Sequence, residues 1–162
     1  MRAVFTSLTL FLLFVSSSVP IERTADFMEK PPCEITLSSL DDICGEWGGN
    51  LQIVRLFKKD CEGHYFIEYK LRTMDCESDP IIHYKRSDFD KTKVVVATTA
   101  DENLLWNCIT ELKEMSDSNP NFITHSGILN RAISSDSTIN LRDYPSKNWR
   151  AFELLKESIL ER

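Results

Sequence analysis

From His64 to Arg72 the chain alternates without a break. Tyr65, Ile67, Tyr69 and Leu71 fall on one side, and His64, Phe66, Glu68, Lys70 and Arg72 on the other. A period of two is that of a half-buried β-strand and not of a helix, so this segment commits the chain to a sheet. Its neighbours agree. Leu51–Lys58 can set Leu51, Ile53 and Phe57 on one side, with Arg55 interrupting, and Lys59-Asp60-Cys61-Glu62-Gly63 is a polar, glycine-ended hairpin turn. Asp75 to Pro80 then breaks the pattern, because proline cannot donate to a ladder and Asp and Ser favour turns. Ile81–Arg86 and the β-branched Lys93–Thr99 follow, joined by Ser87–Lys91. Together the four segments read as an antiparallel meander.

A meander constrains the cysteines. Cys33, Cys44, Cys61, Cys76 and Cys108 make an odd number, so at least one thiol is free or paired to another chain, and a covalent dimer is open. Cys61 lies before the His64–Arg72 strand and Cys76 after it. A strand rises about 3.3 Å per residue, whereas bridged Cα atoms lie within about 7 Å. Cys61–Cys76 is therefore disfavoured. Cys44, just before Leu51, shares a sheet edge with Cys76, and Cys44–Cys76 is the expected bridge, with Cys33 as the competitor for Cys76. No Cys-x-x-Cys occurs, so no zinc site is expected.

Residues 1–19 read as a signal peptide. Arg2 is followed by the apolar run Leu8–Val15 and by Ser16-Ser17-Ser18. That run is far shorter than the roughly 20 residues that span a bilayer, and no integral membrane segment is expected. Secretion would expose the cysteines to an oxidising compartment. Residues 20–32, with Pro20, Pro31 and Pro32, read as a flexible leader, and 33–162 as one domain, long enough to bury a real core. Without Arg2, 18 Lys and Arg face 25 Asp and Glu, a formal charge of −7. That sign argues against nucleic acid as a partner. No Asn-x-Ser/Thr sequon is present.

Elsewhere the pattern is less regular. Ile35–Ile43 leads into Gly45, with a weak helical turn at Ser38 or Ser39 before Asp41-Asp42. Leu104–Met115 fits two readings. As a helix, Leu104, Leu105, Cys108, Ile109, Leu112 and Met115 share a face, and Thr99-Ala100-Asp101-Glu102 has capping-box spacing. As a strand, Leu104, Trp106 and Cys108 face one way. Ile128–Ile133 is short and weakly patterned, and Ser134–Ser137 is a loop. Ser146 is placed to cap a last helix whose Trp149, Phe152, Leu155 and Ile159 keep helical spacing.

No Gly-x-Ser-x-Gly, His-Glu-x-x-His, Walker loop, Rossmann glycine series or EF-hand loop is present, so no catalytic residue, metal or cofactor is expected. His64, His83 and His125 sit on separate segments. Phe57, Tyr65, Tyr69, Tyr84 and Trp106 are candidates to line a cavity for a small hydrophobic ligand; plain core packing is their alternative role.

The signal peptide, Cys44 before Gly45-Glu46-Trp47, the meander and the closing helix together resemble a lipocalin. The likeness is to the acid-glycoprotein (orosomucoid-like) branch. Pro31-Pro32-Cys33, Asn121–Gly127 ahead of a helix, and Val94–Thr99 running to Leu104-Leu105-Trp106 are similar to that branch in order. Gly48-Gly49 after the tryptophan, and the lack of a cysteine beyond Cys108, depart from the family pattern. The resemblance implies an up-and-down barrel carrying a lipid, steroid or retinoid, with Gly45 and Trp47 structural and Trp47 closing its floor. The fold expected is thus mainly β, a lipocalin-like barrel with a C-terminal helix. The alternative is α+β, an antiparallel sheet with two helices, and a secreted inhibitor or immune modulator in place of a carrier. Leu104–Met115 decides between them: strand for the barrel, helix for the α+β form.

Overall fold

The computed structural model describes residues 32–77, 88–119 and 124–162. The expected signal peptide, most of the leader, the Ile81–Arg86 strand and Tyr84 lie outside them. Within the described residues, β1 (Glu34–Leu40), β2 (Leu51–Lys58), β3 (Tyr65–Arg72) and β4 (Lys91–Val96) precede α1 (Thr99–Ser118). Then follow β5 (Ile128–Ser134), β6 (Asn140–Ser146) and α2 (Arg150–Leu160). The strands form one antiparallel sheet in the order β4-β3-β2-β1-β5-β6. Helix α1 returns the chain from β4 to β5, on the far side of β1.

The central strand is the one the local pattern conceals. Glu34–Leu40 offers only Ile35 and Leu37 as inward apolar residues, followed by two serines of no strong preference, and it is not the weak helical turn expected there. Pairing decides it: β1 is hydrogen-bonded to β2 on one side and β5 on the other, so tertiary context overrides propensity.

Leu104–Met115 is helical, inside α1. The capping box sits one residue earlier than the expected Thr99–Glu102 frame. Thr98 Oγ1 accepts from the Asp101 amide (3.3 Å), and Asp101 Oδ2 accepts from the Thr98 amide (2.7 Å). Leu105, Cys108 and Leu112 form the buried stripe. In α2 the buried residues include Phe152, Leu155 and Ile159, as their spacing implies, and Trp149 is buried just before it. Ser146, however, does not cap α2. It ends β6 and donates to Asp143 Oδ2 (2.5 Å). The first amides of α2 are taken instead by Glu111 of α1, with Arg150 N–H to Oε1 at 3.1 Å and Ala151 N–H to Oε2 at 2.7 Å.

One face of the sheet is the core. Ile35 and Leu37 of β1 align with Leu56 and Val54 of β2 and with Ile67 and Tyr69 of β3, all buried beneath the helices. Helix α1 lies over β5 and β6, and α2 over β3 and β4. Tyr65, Ile67, Tyr69 and Leu71 do share a face, as their alternation implies. In β2 the inward residues are Val54 and Leu56, so Leu51, Ile53 and Phe57 face the other way with Arg55. A guanidinium in that row excludes it from a dry core.

Two disulfides brace the strand ends. Cys44 bonds Cys76 (Cα–Cα 5.3 Å), the pair selected by the sheet-edge argument, and Cys33 bonds Cys61 (Cα–Cα 4.9 Å) and does not compete for Cys76. Each links the residue just before, or close before, one strand to a residue just past the end of the next. Cys108 is the free thiol, and at 0% exposure it is too deep to bridge to another chain. The route to a covalent dimer through it is closed.

Candidate interaction surface

The register places the even-numbered residues of β1 on the face away from the helices, together with the odd-numbered residues of β2 and their partners. Across its middle run Ile133, Thr36, Arg55, Glu68 and Val94; beside them run Arg142, Arg131, Ser38, Ile53, Lys70 and Thr92. These side chains are mostly part-exposed, and Val94 and Val96 are 49% and 58% exposed. No described helix covers them.

The centre of this face is an ion-pair chain. Arg55 donates to Glu34 Oε2 at 2.6 Å and lies 3.7 Å from Glu68 Oε2, while Lys70 Nζ is 3.0 Å from the same Glu68 oxygen. The Arg55 hydrogen bond holds the Glu34 carboxyl below the usual carboxylate range, and Glu34 in turn holds the Arg55 guanidinium above its own. Arg55 also lies 4.4 Å over the Phe57 ring, and Phe57 stacks on its cross-strand partner Phe66 at 5.8 Å. Toward β6, Arg131 stands directly opposite Arg142, whose guanidinium lies 6.0 Å from the Tyr144 ring.

Charge is divided between the layers. On the strands of this face, Arg55, Lys70, Arg72, Arg131 and Arg142 oppose Glu34 and Glu68, five cations against two carboxylates, a formal +3. Helix α1 carries Asp101, Glu102, Glu111, Glu114 and Asp117 against Lys113, a formal −4. The face is therefore a cationic, aromatic-bearing surface on a chain whose formal charge is −6.

The candidate ligand-lining residues do not share a wall. Phe57 is on this outer face, Tyr65 and Tyr69 are on the opposite one, and Trp106 is on α1 and 37% exposed. Tyr84 lies outside the described residues. The Tyr65 hydroxyl donates to the Pro32 carbonyl (2.9 Å) and that of Tyr69 to Gln52 Oε1 (3.1 Å), and burial pushes both phenols up. Both serve the core. Gly45 adopts φ +64° in a short 3-10 turn, and Trp47 in that turn is 55% exposed. Trp47 is thus a loop residue and not a floor. Asn121–Gly127 leads into β5 and not into a helix. A cleft of about 90 Å³ lies among Met115, Ser118, Asn119, Asp143, Pro145 and Lys147. It is small beside the roughly 300–1,000 Å³ of drug-sized sites.

Arg131, Arg142 and Tyr144 were not legible as site residues. Asn140–Ser146 carries no strand alternation and contains Pro145, tolerated because β6 is an edge strand among the described residues. Only the β5–β6 register brings the two arginines together. No family model, curated protein or solved structure matches this chain.

Proposed function

We propose that this is a secreted, non-enzymatic interaction protein, an inhibitor or modulator type of domain that presents its uncovered sheet face to a partner. The observation that carries this reading is α1. Leu104–Met115 is helix, the form that belongs to the α+β alternative and not to the barrel. The two disulfides and the apolar run Leu8–Val15 support an extracellular setting. Arg and aromatic side chains such as Arg131, Arg142, Phe57 and Tyr144 are the types enriched where proteins meet. The reading assigns no catalytic residue, metal or cofactor.

A lipocalin-like carrier of a lipid, steroid or retinoid is the second reading, favoured by the half-exposed Phe57, Phe66 and Ile53. Its barrel has to join β4 to β6. These strands end an open six-strand order, five spacings of about 4.8 Å apart along the sheet.

Tryptophan emission separates the two. Titration with retinol, oleate and progesterone is expected to give no saturable one-to-one response, and a saturable one overturns the interaction reading in favour of the carrier. A photo-crosslinker at Ile133, on β5 in the uncovered face, is expected to trap a distinct protein in extracellular fluid of the source. One at Lys113, on the acidic helix, is not.

A further inference from the structure

We infer that the partner is an acidic polypeptide surface bearing aromatic or aliphatic side chains among its carboxylates, and that it docks around Arg131, Arg142 and Tyr144. This rests on the interaction reading above and names the partner's chemistry.

Like charges directly opposite across a ladder destabilise a sheet. Arg131 and Arg142 are such a pair, both exposed, and neither has a carboxylate within ion-pair distance among the described residues. A carboxylate brought between them relieves that repulsion and takes the planar guanidinium forks bidentately. The surroundings argue for a polypeptide over a bare polyanion or a lipid surface. Leu129 and Ile133 flank Arg131 along the outer face of β5, and Tyr144 is next to Arg142. Glu34 and Glu68 stand in the middle of the same face, where a uniformly anionic surface would meet them at a cost. The acidic α1 layer behind the sheet repels an acidic partner from the other side, so long-range steering favours the sheet face.

The probe is a random glutamate–tyrosine copolymer, compared with poly-glutamate and with phosphatidylserine vesicles, by fluorescence anisotropy and co-sedimentation at two salt concentrations. The copolymer is expected to bind at least tenfold more tightly than poly-glutamate, and less tightly as salt rises. Arg131→Glu replaces the like-charged pair with an opposite-charged one, so the sheet is not put at risk; it is expected to weaken copolymer binding at least tenfold. Arg131→Lys is expected to fall between the two, since it keeps the charge and loses the fork. Equal binding by the parent and Arg131→Glu overturns the inference. So does binding to vesicles but not to the copolymer. Concentration-dependent self-association that Arg131→Glu abolishes also overturns it, by making a second copy the occupant. The crosslinking at Ile133 separates the levels: a trapped protein with no effect of Arg131→Glu fells this inference alone, and no trapped protein fells the reading beneath it.

Discussion

Asp41 organises the loop between β1 and β2 through single atoms. Its Oδ1 accepts from the Asn50 amide (2.8 Å) and the Ile43 amide (3.3 Å), its Oδ2 accepts from Asn50 Nδ2 (3.0 Å), and Asn50 Oδ1 accepts from the Met74 amide (3.0 Å). Gly49 is buried beside it. A Cβ there would fall 1.8 Å from Asp41 Oδ1 and 2.8 Å from the Asp41 carbonyl oxygen, which is backbone and cannot swing away. Gly49→Ala is therefore expected to lower stability by about 1–3 kcal/mol, read as a lower urea midpoint; an unchanged midpoint would remove the Asp41 network from the account. Cys108 is the second residue with a clear expectation. Burial, aided by Glu111, pushes its thiol up to about 12. The folded thiol titrates above the unfolded one, so the stability it contributes is complete below about pH 8.5 and drains away as the pH rises toward 12. Native protein is expected to resist Ellman's reagent at pH 8 and to react with one equivalent once unfolded under non-reducing conditions. Prompt native reaction would contradict the packing described.

At the scale of elements, both helices are started by contacts that the sequence only half discloses. The Thr98 and Asp101 box caps α1, and Asp101 is tied further to Arg162 (2.9 Å) and Ser158 (3.3 Å) near the C-terminus. Burial opposes ionisation of Asp101, yet the Thr98 amide and hydroxyl, with Arg162 and Ser158, hold its carboxyl below the usual range. A lowered folded value means that the stability is complete above the unfolded pKa near 4 and is lost as pH falls below it. Thr98→Ala is expected to cost about 1 kcal/mol and Thr99→Ala much less, with thermal melts as the measure. Equal losses would return the cap to the frame expected from the sequence. Helix α2 has no side-chain cap of its own. Glu111→Ala removes the carboxylate that takes its first two amides, and is expected to cost about 1 kcal/mol although it lies in another helix.

For the whole molecule, the division of charge and the two disulfides belong together. The bridges span separations of 28 and 32 residues, both within the first three strands. Chain-entropy arguments assign each roughly 3–4 kcal/mol. Replacing Cys33 and Cys61 by Ala is expected to lower stability by about that amount while leaving α1 and α2 packed on the sheet. Loss of the near-ultraviolet signal of the buried Trp149, which stacks on Phe152 at 5.0 Å, would show instead that the bridge holds the helical layer. The sheet face itself owes its exposure to charge. Arg55 and its ion-pair partners occupy the row that would otherwise be a second apolar layer.

The alternation of Tyr65 to Leu71 and the stripe from Trp149 to Ile159 were determined by local sequence, because period is a local quantity; Cys44–Cys76 was expected from shared strand ends, and only the placing of Cys33 against Cys61 removed its competitor. The helical form of Leu104–Met115, the strand at Glu34–Leu40 and the strand at Asn140–Ser146 were decided only by tertiary structure. The first fits two periods, and the other two have too few apolar residues to declare themselves until neighbouring strands satisfy their backbones. The facing of Arg131 and Arg142 belongs to the same class. It is a matter of register, and register exists only once β5 has found β6.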